Sequence, residues 1–169
     1  MYLTIGVTGH RDLLADEVPA LREKVRDFFV RLQTDYPDLE LQLITPLAEG
    51  SDRLVADVAI ELGCNLIVPL PMPQADYEMD FSSPEAVEEF RGSLKKARVI
   101  HLRSLKSEPG TSLTHEERAQ QYAQMGIFIS NHSQVLLALW DGKSSSKVGG
   151  TASVVNYHLT AVMPGFSMA

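Results

Sequence analysis

The sequence has little that would stabilise it outside a reducing compartment or within a lipid bilayer. It contains one cysteine, Cys64, which cannot form a disulfide within the chain, and none of its apolar runs approaches the roughly 20 residues of a membrane span. These absences exclude a disulfide-rich scaffold and a helical membrane protein. Because the chain begins with a β-rich segment and not with a basic and apolar leader, we expect a cytoplasmic protein with no membrane partner.

Positive charge is also scarce and scattered. The chain has 15 Lys and Arg against 22 Asp and Glu, which gives a net charge of −7 at pH 7 and a pI near 5.2. The densest basic group, Lys95 and Lys96 with Arg98 and Arg103, is short and flanked by acids. Nucleic-acid backbones are bound by clustered Lys and Arg, so this charge distribution predicts no nucleic-acid partner. We also predict no metal site and no resident cofactor.

What the sequence does contain is a regular alternation of strand-like and helical segments. Five β-rich runs alternate with five segments in which apolar residues recur every three or four positions, as in an amphipathic helix. The predicted strands are Tyr2–Thr8, Leu39–Pro46, Cys64–Leu70, Arg98–Arg103 and Val135–Trp140. No hairpin turn separates them, so we predict right-handed βαβ crossovers and a parallel sheet.

Length and composition fit one domain over residues 1–169, since 169 residues with 44% hydrophobic content bury a core of ordinary size. The predicted fold class is α/β, a three-layer αβα Rossmann-like sandwich with a five-stranded, mainly parallel sheet of order 3-2-1-4-5. Two helix starts are marked in the sequence. Thr114 and Glu117 have the spacing of a capping box, and Gly150 opens a last helix that extends to about Met163.

In such a sheet the loops after the strands meet at one edge, where ligands bind. After the first strand Gly9 permits a tight turn, and His10 and Arg11 are candidates to contact an anion. After the third strand a long loop carries Tyr77, predicted to stack on a base, and Asp80, predicted to accept from a sugar hydroxyl or an amino group. The alternatives are an ordinary polar turn in the first loop and a hydrophobic clamp of Tyr77 and Phe81 on the sheet edge.

The loop after the second strand has the features of a helix N-terminus. Gly50 is followed by Ser51, a favoured helix cap, with Arg53 close by. A glycine before a helix start leaves backbone N–H groups open to a phosphate, so these three residues are candidate phosphate ligands. Ordinary helix capping explains the same pattern equally well.

The loop after the fifth strand has the strongest pattern. An apolar run ends at Asp141 and Gly142, and a polar loop then leads to Gly149, Gly150 and Thr151 at the start of the last helix. The two glycines remove side chains where a phosphate or ribose approaches the backbone, and the helix dipole there favours negative charge. This segment therefore predicts the phosphate site of the domain.

The segment Val148–Val154 resembles the phosphate-binding stretch of the superfamily that joins the DNA-uptake protein DprA with the Lonely-guy phosphoribohydrolases, often called SLOG. In its enzyme members a Pro-Gly-Gly-x-Gly-Thr-x-x-Glu stretch holds a nucleotide phosphate, and the glutamate takes part in cleaving an N-glycosidic bond. The resemblance implies phosphate binding by Gly149, Gly150 and Thr151. Where the enzymes have the glutamate, this chain has Val154. Nucleoside deoxyribosyltransferases, which the fold also resembles, carry the same glutamate.

The sequence is also similar to poorly characterised bacterial SLOG-like domains. For these domains, sensing of nucleotide-derived ligands has been proposed. Our leading hypothesis is a non-catalytic domain that binds or senses a nucleotide, with Asp141 on a ribose hydroxyl and Arg11 or Arg53 balancing charge. The alternatives are an N-ribosyl hydrolase or transferase that uses Asp141 or Glu49, and a structural domain with a vestigial cleft. The predicted partners are a nucleotide-like small molecule and either a second copy of the chain, docked through the last helix, or a fused effector domain.

Overall fold

The structure, a computed structural model, describes residues 1–104, 112–144, 147–163 and 165–166. Within these residues the chain forms five strands and six helices. The strands are β1 (Tyr2–Gly9), β2 (Glu40–Ile44), β3 (Asn65–Leu70), β4 (Arg98–His101) and β5 (Val135–Leu139). The helices are α1 (Val18–Asp35), α2 (Ser51–Glu61), α3 (Gln74–Glu78), α4 (Pro84–Leu94), α5 (His115–Asn131) and α6 (Thr151–Thr160).

All five strands are parallel and form one sheet between two layers of helices, so the predicted fold class is confirmed. The strand order is β4-β3-β2-β1-β5. The chain moves outward from β1 through β2 and β3 to β4, and then returns to the other side of β1 to form β5. The order therefore reverses between β1 and β5, which is where ligands bind in open α/β sheets.

The predicted order 3-2-1-4-5 is wrong in the position of the fourth strand. β4 pairs with β3, with Arg98 opposite Ile67 and His101 opposite Leu70, and so forms one edge of the sheet. Its four residues suit an edge, because both ends, Arg98 and His101, are exposed. β1 instead has five consecutive buried residues and is paired on both sides, with β2 and with β5.

The largest hydrophobic core lies against the middle of the sheet. Ile5 and Val7 of β1 and Leu43 of β2 pack there with Val55 of α2 and Phe29 of α1, all of them at most 2% exposed. A smaller cluster between α5 and α6 contains Ala123, Val154 and Met163. Burial of these apolar side chains fixes the helices on the sheet, so the strand-end loops are held by a rigid frame.

Three local features refine the sequence-based expectations. The predicted capping box is present at the start of α5, where the Thr114 side chain accepts from the Glu117 N–H and the Glu117 side chain accepts from the Thr114 N–H. The long loop after β3 contains the short helix α3. α6 ends at Thr160, where Ala161 adopts a left-handed conformation with φ of 60°, before the expected end near Met163. No helix in the described ranges is long and apolar enough to cross a membrane.

Candidate functional site

A cleft of about 800 Å³ lies at the carboxyl ends of β1 and β2, beside the point where the strand order reverses. Its lining comes from residues 7–12, the loop after β2, the inner face of α5, and the segment that leads from β5 into the first turn of α6. The cleft therefore occupies the place where open α/β sheets bind their ligands.

The start of α6 forms one wall of the cleft, with Gly149, Gly150 and Thr151 in its lining. Gly149 has φ of 72°, and a Cβ there would lie 2.6 Å from the backbone nitrogen of Ala123, so only glycine fits. Gly150 is the N-cap and provides no side-chain cap. The first turn of α6 therefore meets the cleft with backbone N–H groups that no N-cap side chain covers.

The loop after β1 forms the floor and one rim. Gly9 is required by close packing, because a Cβ there would lie 2.4 Å from the Ser51 side chain. His10 and Arg11 follow in the cleft lining. The Arg11 guanidinium donates to the Tyr122 hydroxyl at 3.2 Å and lies 5.5 Å from the centre of the Tyr122 ring. Arg11 is thus held against α5 at the side of the cleft.

The wall formed by α5 and the loop after α3 contains a charged network that was not anticipated from the sequence. Asp80, after α3, accepts from the Arg118 guanidinium at 2.8 Å and from the Tyr122 hydroxyl. Arg118 also donates to the backbone oxygen of Asp76 at 3.1 Å. Asp80 lines the cleft as expected, but its carboxylate accepts hydrogen bonds from side chains of α5. Strand-end reasoning missed Arg118 and Tyr122 because both lie within a helix.

The cleft differs in charge from the chain as a whole. Its lining contains four Lys and Arg and three Asp, whereas the whole chain has a net charge of −7. Two of the cations, Lys143 and Lys147, come from the segment before α6, and Trp140 lies beside them. Sequence analysis placed Trp140 in a strand and did not select these three residues. Positive charge in a concave site attracts anionic ligands more strongly than a net charge suggests.

One carboxyl group at the floor is unusual. Asp52, in the first turn of α2, is 6% exposed and lines the cleft. One of its oxygens accepts from the Ala48 N–H at 3.3 Å. Burial raises the pKa of Asp52 to about 7, against the smaller opposing effects of the Ala48 and Thr45 hydrogen bonds and of the Arg11 charge.

Tyr77 is not a cleft residue, and its predicted contact with a base is wrong. The side chain is fully buried, and its hydroxyl donates to the backbone oxygen of Pro46 at 3.1 Å. Its ring packs edge-on against Phe81 and Phe90, with centroid distances of 5.0 Å and 5.6 Å. The alternative stated above, a hydrophobic clamp on the sheet edge, describes Tyr77 correctly.

The predicted phosphate site at Gly50, Ser51 and Arg53 is also wrong, because the start of α2 is covered by the loop after β1. The Ser51 N–H and hydroxyl both donate to the backbone oxygen of His10, at 3.0 Å and 2.8 Å. Ser51 is fully buried. Arg53 donates to the backbone oxygen of Leu47 at 3.1 Å and lies over the Phe81 ring, so its guanidinium supports the loop after β2.

The two carboxylates considered for catalysis lie at the margin of the site. Glu49 accepts from the backbone N–H and the hydroxyl of Ser82, and it is absent from the described lining of the cleft. Asp141 is exposed and lies 3.3 Å from Nε2 of His10. The Lys143 N–H, which donates to Asp141, lowers the pKa of that carboxyl to about 2. Gly142, with φ of 80°, makes the turn between Asp141 and Lys143.

No group of three His, Cys, Asp or Glu side chains within the described part of the chain is arranged to hold a metal ion. Where the enzymes that the sequence resembles have a glutamate, Val154 is 5% exposed and packs with Ala123 and Met163. The described cleft thus has backbone amides and cations suited to an anion.

Comparison with solved structures identifies the fold. The X-ray structure of DNA processing protein A (DprA) from Streptococcus pneumoniae matches with a TM-score of 0.60 and 14% identity over 94% of this chain. A structure of DprA from Helicobacter pylori matches with a TM-score of 0.55 and 13% identity over 93% of this chain. The chain shares its fold with DprA. The predicted resemblance is confirmed for the fold, while no family model and no curated protein matches the sequence.

The chain spans 47% of the Streptococcus pneumoniae structure and 62% of the Helicobacter pylori structure. The latter is described as a study of the single-stranded DNA binding mode of DprA. The exclusion of nucleic acid as a partner is therefore wrong, because a protein of this fold binds single-stranded DNA. The prediction rested on the net charge and on the lack of a basic cluster in the sequence, and neither of these describes the charge of the cleft.

Proposed function

We propose that this domain binds the phosphate of a nucleotide, with the phosphate at the N-terminus of α6. The observation that carries the proposal is the position of Gly149, Gly150 and Thr151, which line an open cleft and present a helix start without an N-cap side chain. Backbone N–H groups and the helix dipole favour an anion at such a place. The structural domain with a vestigial cleft is less well supported, because the cleft is about 800 Å³ in volume.

The surrounding charges support a phosphorylated ligand. Lys143 and Lys147 precede α6 in the sequence, and both line the same cleft as Arg11. Lys143 is 83% exposed and contacts only the exposed carboxylate of Asp141 among the described ion pairs, at 3.2 Å. A phosphate at α6 would therefore meet several cations and no carboxylate of the first turn.

The nucleotide is either free or a unit of a single strand. The fold shared with Helicobacter pylori DprA favours the second form, and the moderate size of the cleft suits a single nucleotide in both. We propose binding or sensing as the role, and we keep N-ribosyl cleavage as the alternative. Val154 supports a non-catalytic role, since an oxocarbenium-like transition state needs a nearby carboxylate. Asp141, with its lowered pKa, would serve an enzyme as a nucleophile or an electrostatic group and not as a general acid.

The experiment compares Gly150→Asp with Gly150→Asn. Both residues are favoured N-caps, and the φ of −77° at Gly150 suits either, so both variants should fold with unchanged or higher thermal stability. The aspartate places a carboxylate on the phosphate site, so we expect nucleotide affinity to fall by about 10-fold or more. We expect the neutral asparagine to change it by about 3-fold at most.

Calorimetry with nucleoside mono-, di- and triphosphates and fluorescence anisotropy with a labelled single-stranded oligonucleotide measure the two forms of the ligand. Loss of binding in the aspartate variant alone supports the proposal. Equal affinity of both variants and the wild type would place the ligand elsewhere. A wild-type protein that binds no nucleotide and no oligonucleotide would refute the proposed function. Release of free base during the same incubations would establish the N-ribosyl alternative.

The predicted location and assembly are part of this proposal. We propose a cytoplasmic domain, because one cysteine offers no disulfide to support an extracellular fold. For a homodimer, the last helix offers Leu159, which is 77% exposed, and Val162 just after the helix is 58% exposed. Sedimentation of the wild type against Leu159→Glu tests that surface, with a monomer expected for the variant.

A further inference from the structure

The tryptophan of this chain has an unusual place. Trp140 directly follows β5, is half-buried, and lines the same cleft as the α6 N-terminus. It is the single tryptophan in the sequence. A large aromatic ring at the rim of a polar cleft is a candidate ligand contact when it is not needed for packing.

The turn after β5 fixes the orientation of the indole. The indole N–H donates to the backbone oxygen of Lys143 at 3.0 Å. The Lys143 N–H donates to Asp141 Oδ1, also at 3.0 Å, and Gly142 with φ of 80° closes the turn. The ring nitrogen is therefore already satisfied, and what the side chain offers a ligand is its π face. Fixing the ring beforehand also lowers the entropy that a bound ligand would cost.

Within the described residues the indole belongs to none of the hydrophobic clusters and makes no aromatic ring contact. The other aromatic side chain in the cleft lining, Tyr122, is occupied: Arg11 lies over its ring, and its hydroxyl contacts Arg11 and Asp80. Tyr77 is buried in the core. Trp140 is thus the aromatic ring that the described cleft leaves for stacking.

We propose that Trp140 stacks on an unpaired nucleobase whose phosphate lies at the start of α6. The inference rests on the proposed function, and it assigns the base contact that Tyr77 cannot make. A stacked base is sequence-tolerant, because every base has a π face, and Lys143 and Lys147 beside the ring supply charge for the phosphates. The shared ligand chemistry is a flat base linked to a phosphate, either as a free nucleotide or within a single strand.

The test compares Trp140→Leu with Trp140→Phe on ligands with and without a base. For adenosine 5′-monophosphate we expect Trp140→Leu to lose about 10-fold or more in affinity, as removal of a stacking ring does, and Trp140→Phe to stay within about 3-fold. For ribose 5-phosphate we expect no change in either variant. An oligonucleotide of thymidines measured in parallel shows whether the strand or the free nucleotide depends more strongly on Trp140.

Wild-type fluorescence gives a second readout that needs no substitution, since all tryptophan emission comes from Trp140. We expect adenosine 5′-monophosphate to quench it and ribose 5-phosphate to leave it unchanged. If the nucleotide binds but emission and the Trp140→Leu affinity stay at wild-type values, the inference is overturned while the proposed function stands. If the wild type binds no nucleotide and no oligonucleotide, the proposed function fails and the stacking assignment fails with it.

Discussion

Two helices of this domain start with the same features, and only one of those starts reaches the cleft as a free N-terminus. α2 begins with Gly50 followed by Ser51, and α6 begins with Gly150 followed by Thr151. Both follow a loop after a strand that neighbours β1. By local sequence both starts place a glycine before a hydroxyl side chain, a pattern that suits a phosphate.

The difference comes from a third segment, the loop after β1. Its His10 backbone oxygen accepts from the N–H and hydroxyl of Ser51, and the Arg11 backbone lies so close to Gly50 that a Cβ there would be 2.0 Å from the Arg11 oxygen. At Gly150 the nearest atom to an added Cβ is the Lys147 oxygen, at 3.3 Å. The glycine of α2 thus makes room for backbone, and the glycine of α6 leaves room at the cleft.

The comparison teaches that a glycine-led helix start predicts an anion site only where no distant segment covers it. Gly50 also has φ of 80°, a backbone conformation that residues with a side chain rarely adopt. Gly150 has an ordinary φ of −77°. The same residue type therefore has a structural role in one helix and a proposed binding role in the other.

Exchanging each glycine for alanine gives the largest expected contrast. Gly50→Ala forces a Cβ into the Arg11 backbone at an unfavourable φ, so we expect a loss of about 5 kcal/mol or more in the free energy of unfolding. Gly150→Ala exchanges an accepted N-cap residue for an unfavourable one and should cost about 1 kcal/mol at most. Urea denaturation measures both, and a Gly50→Ala variant that fails to fold agrees with the expectation. Equal stability of the two variants would show that α2 is not closed by the loop after β1.

Asp52 tests the closed helix start in another way, through pH. Its pKa is raised to about 7 by burial, so between about pH 4 and pH 7 the folded state holds a proton that the unfolded state has lost. The stability that this group contributes to the folded state is therefore fully present below the pKa of the unfolded state, and it is lost as the pH rises to about 7.

Asp52→Asn removes that penalty and keeps an oxygen for the Ala48 N–H. We expect the free energy of unfolding of the variant to exceed that of the wild type increasingly as the pH rises, by up to about 4 kcal/mol at pH 8. At pH 4 we expect no such difference. Chemical denaturation at several pH values measures the difference. As a control, Asp57→Asn on the same helix, at a carboxyl whose pKa is raised by partial burial, should give a smaller rise. A flat difference for Asp52→Asn would mean that this carboxyl stays ionised when folded.

Much of the fold followed from the sequence because it depends on local pattern. The five strand runs, the single parallel sheet and the capping box of Thr114 and Glu117 were all predictable from periodicity and residue type. The place of β4 was not, because the order of strands depends on how crossovers pack on the finished sheet. The polar residues Arg98 and His101 at the two ends of this short strand were the local indication of an edge.

The candidate site was predictable only where a strand end supplies it. The segment from Gly149 to Thr151 lies in the cleft because it follows β5, and Asp80 lies there after α3. Tyr77 was misjudged because burial of an aromatic ring depends on partners, Phe81 and Phe90, that local sequence cannot position. Arg118 was missed because it lies within α5 and not at a strand end. It reaches the cleft where α5 contacts the loop that carries Asp80.

The smallest expected effect concerns the tether that holds the loop after β1 over α2. Arg11 donates to the Tyr122 hydroxyl, which in turn donates to Asp80. Tyr122→Phe removes both hydrogen bonds and keeps the ring under Arg11, so we expect a loss of about 1 kcal/mol in the free energy of unfolding.

Tyr157→Phe is the matched control for Tyr122→Phe, because its hydroxyl makes one exposed hydrogen bond to Asn131 and should matter by only a few tenths of a kcal/mol by the same reasoning. Thermal denaturation of the two variants in parallel measures the contrast. If Tyr122→Phe is as stable as Tyr157→Phe, the loop after β1 needs no support from α5. The closure of α2 would then depend on the backbone contacts of His10 and Arg11 alone.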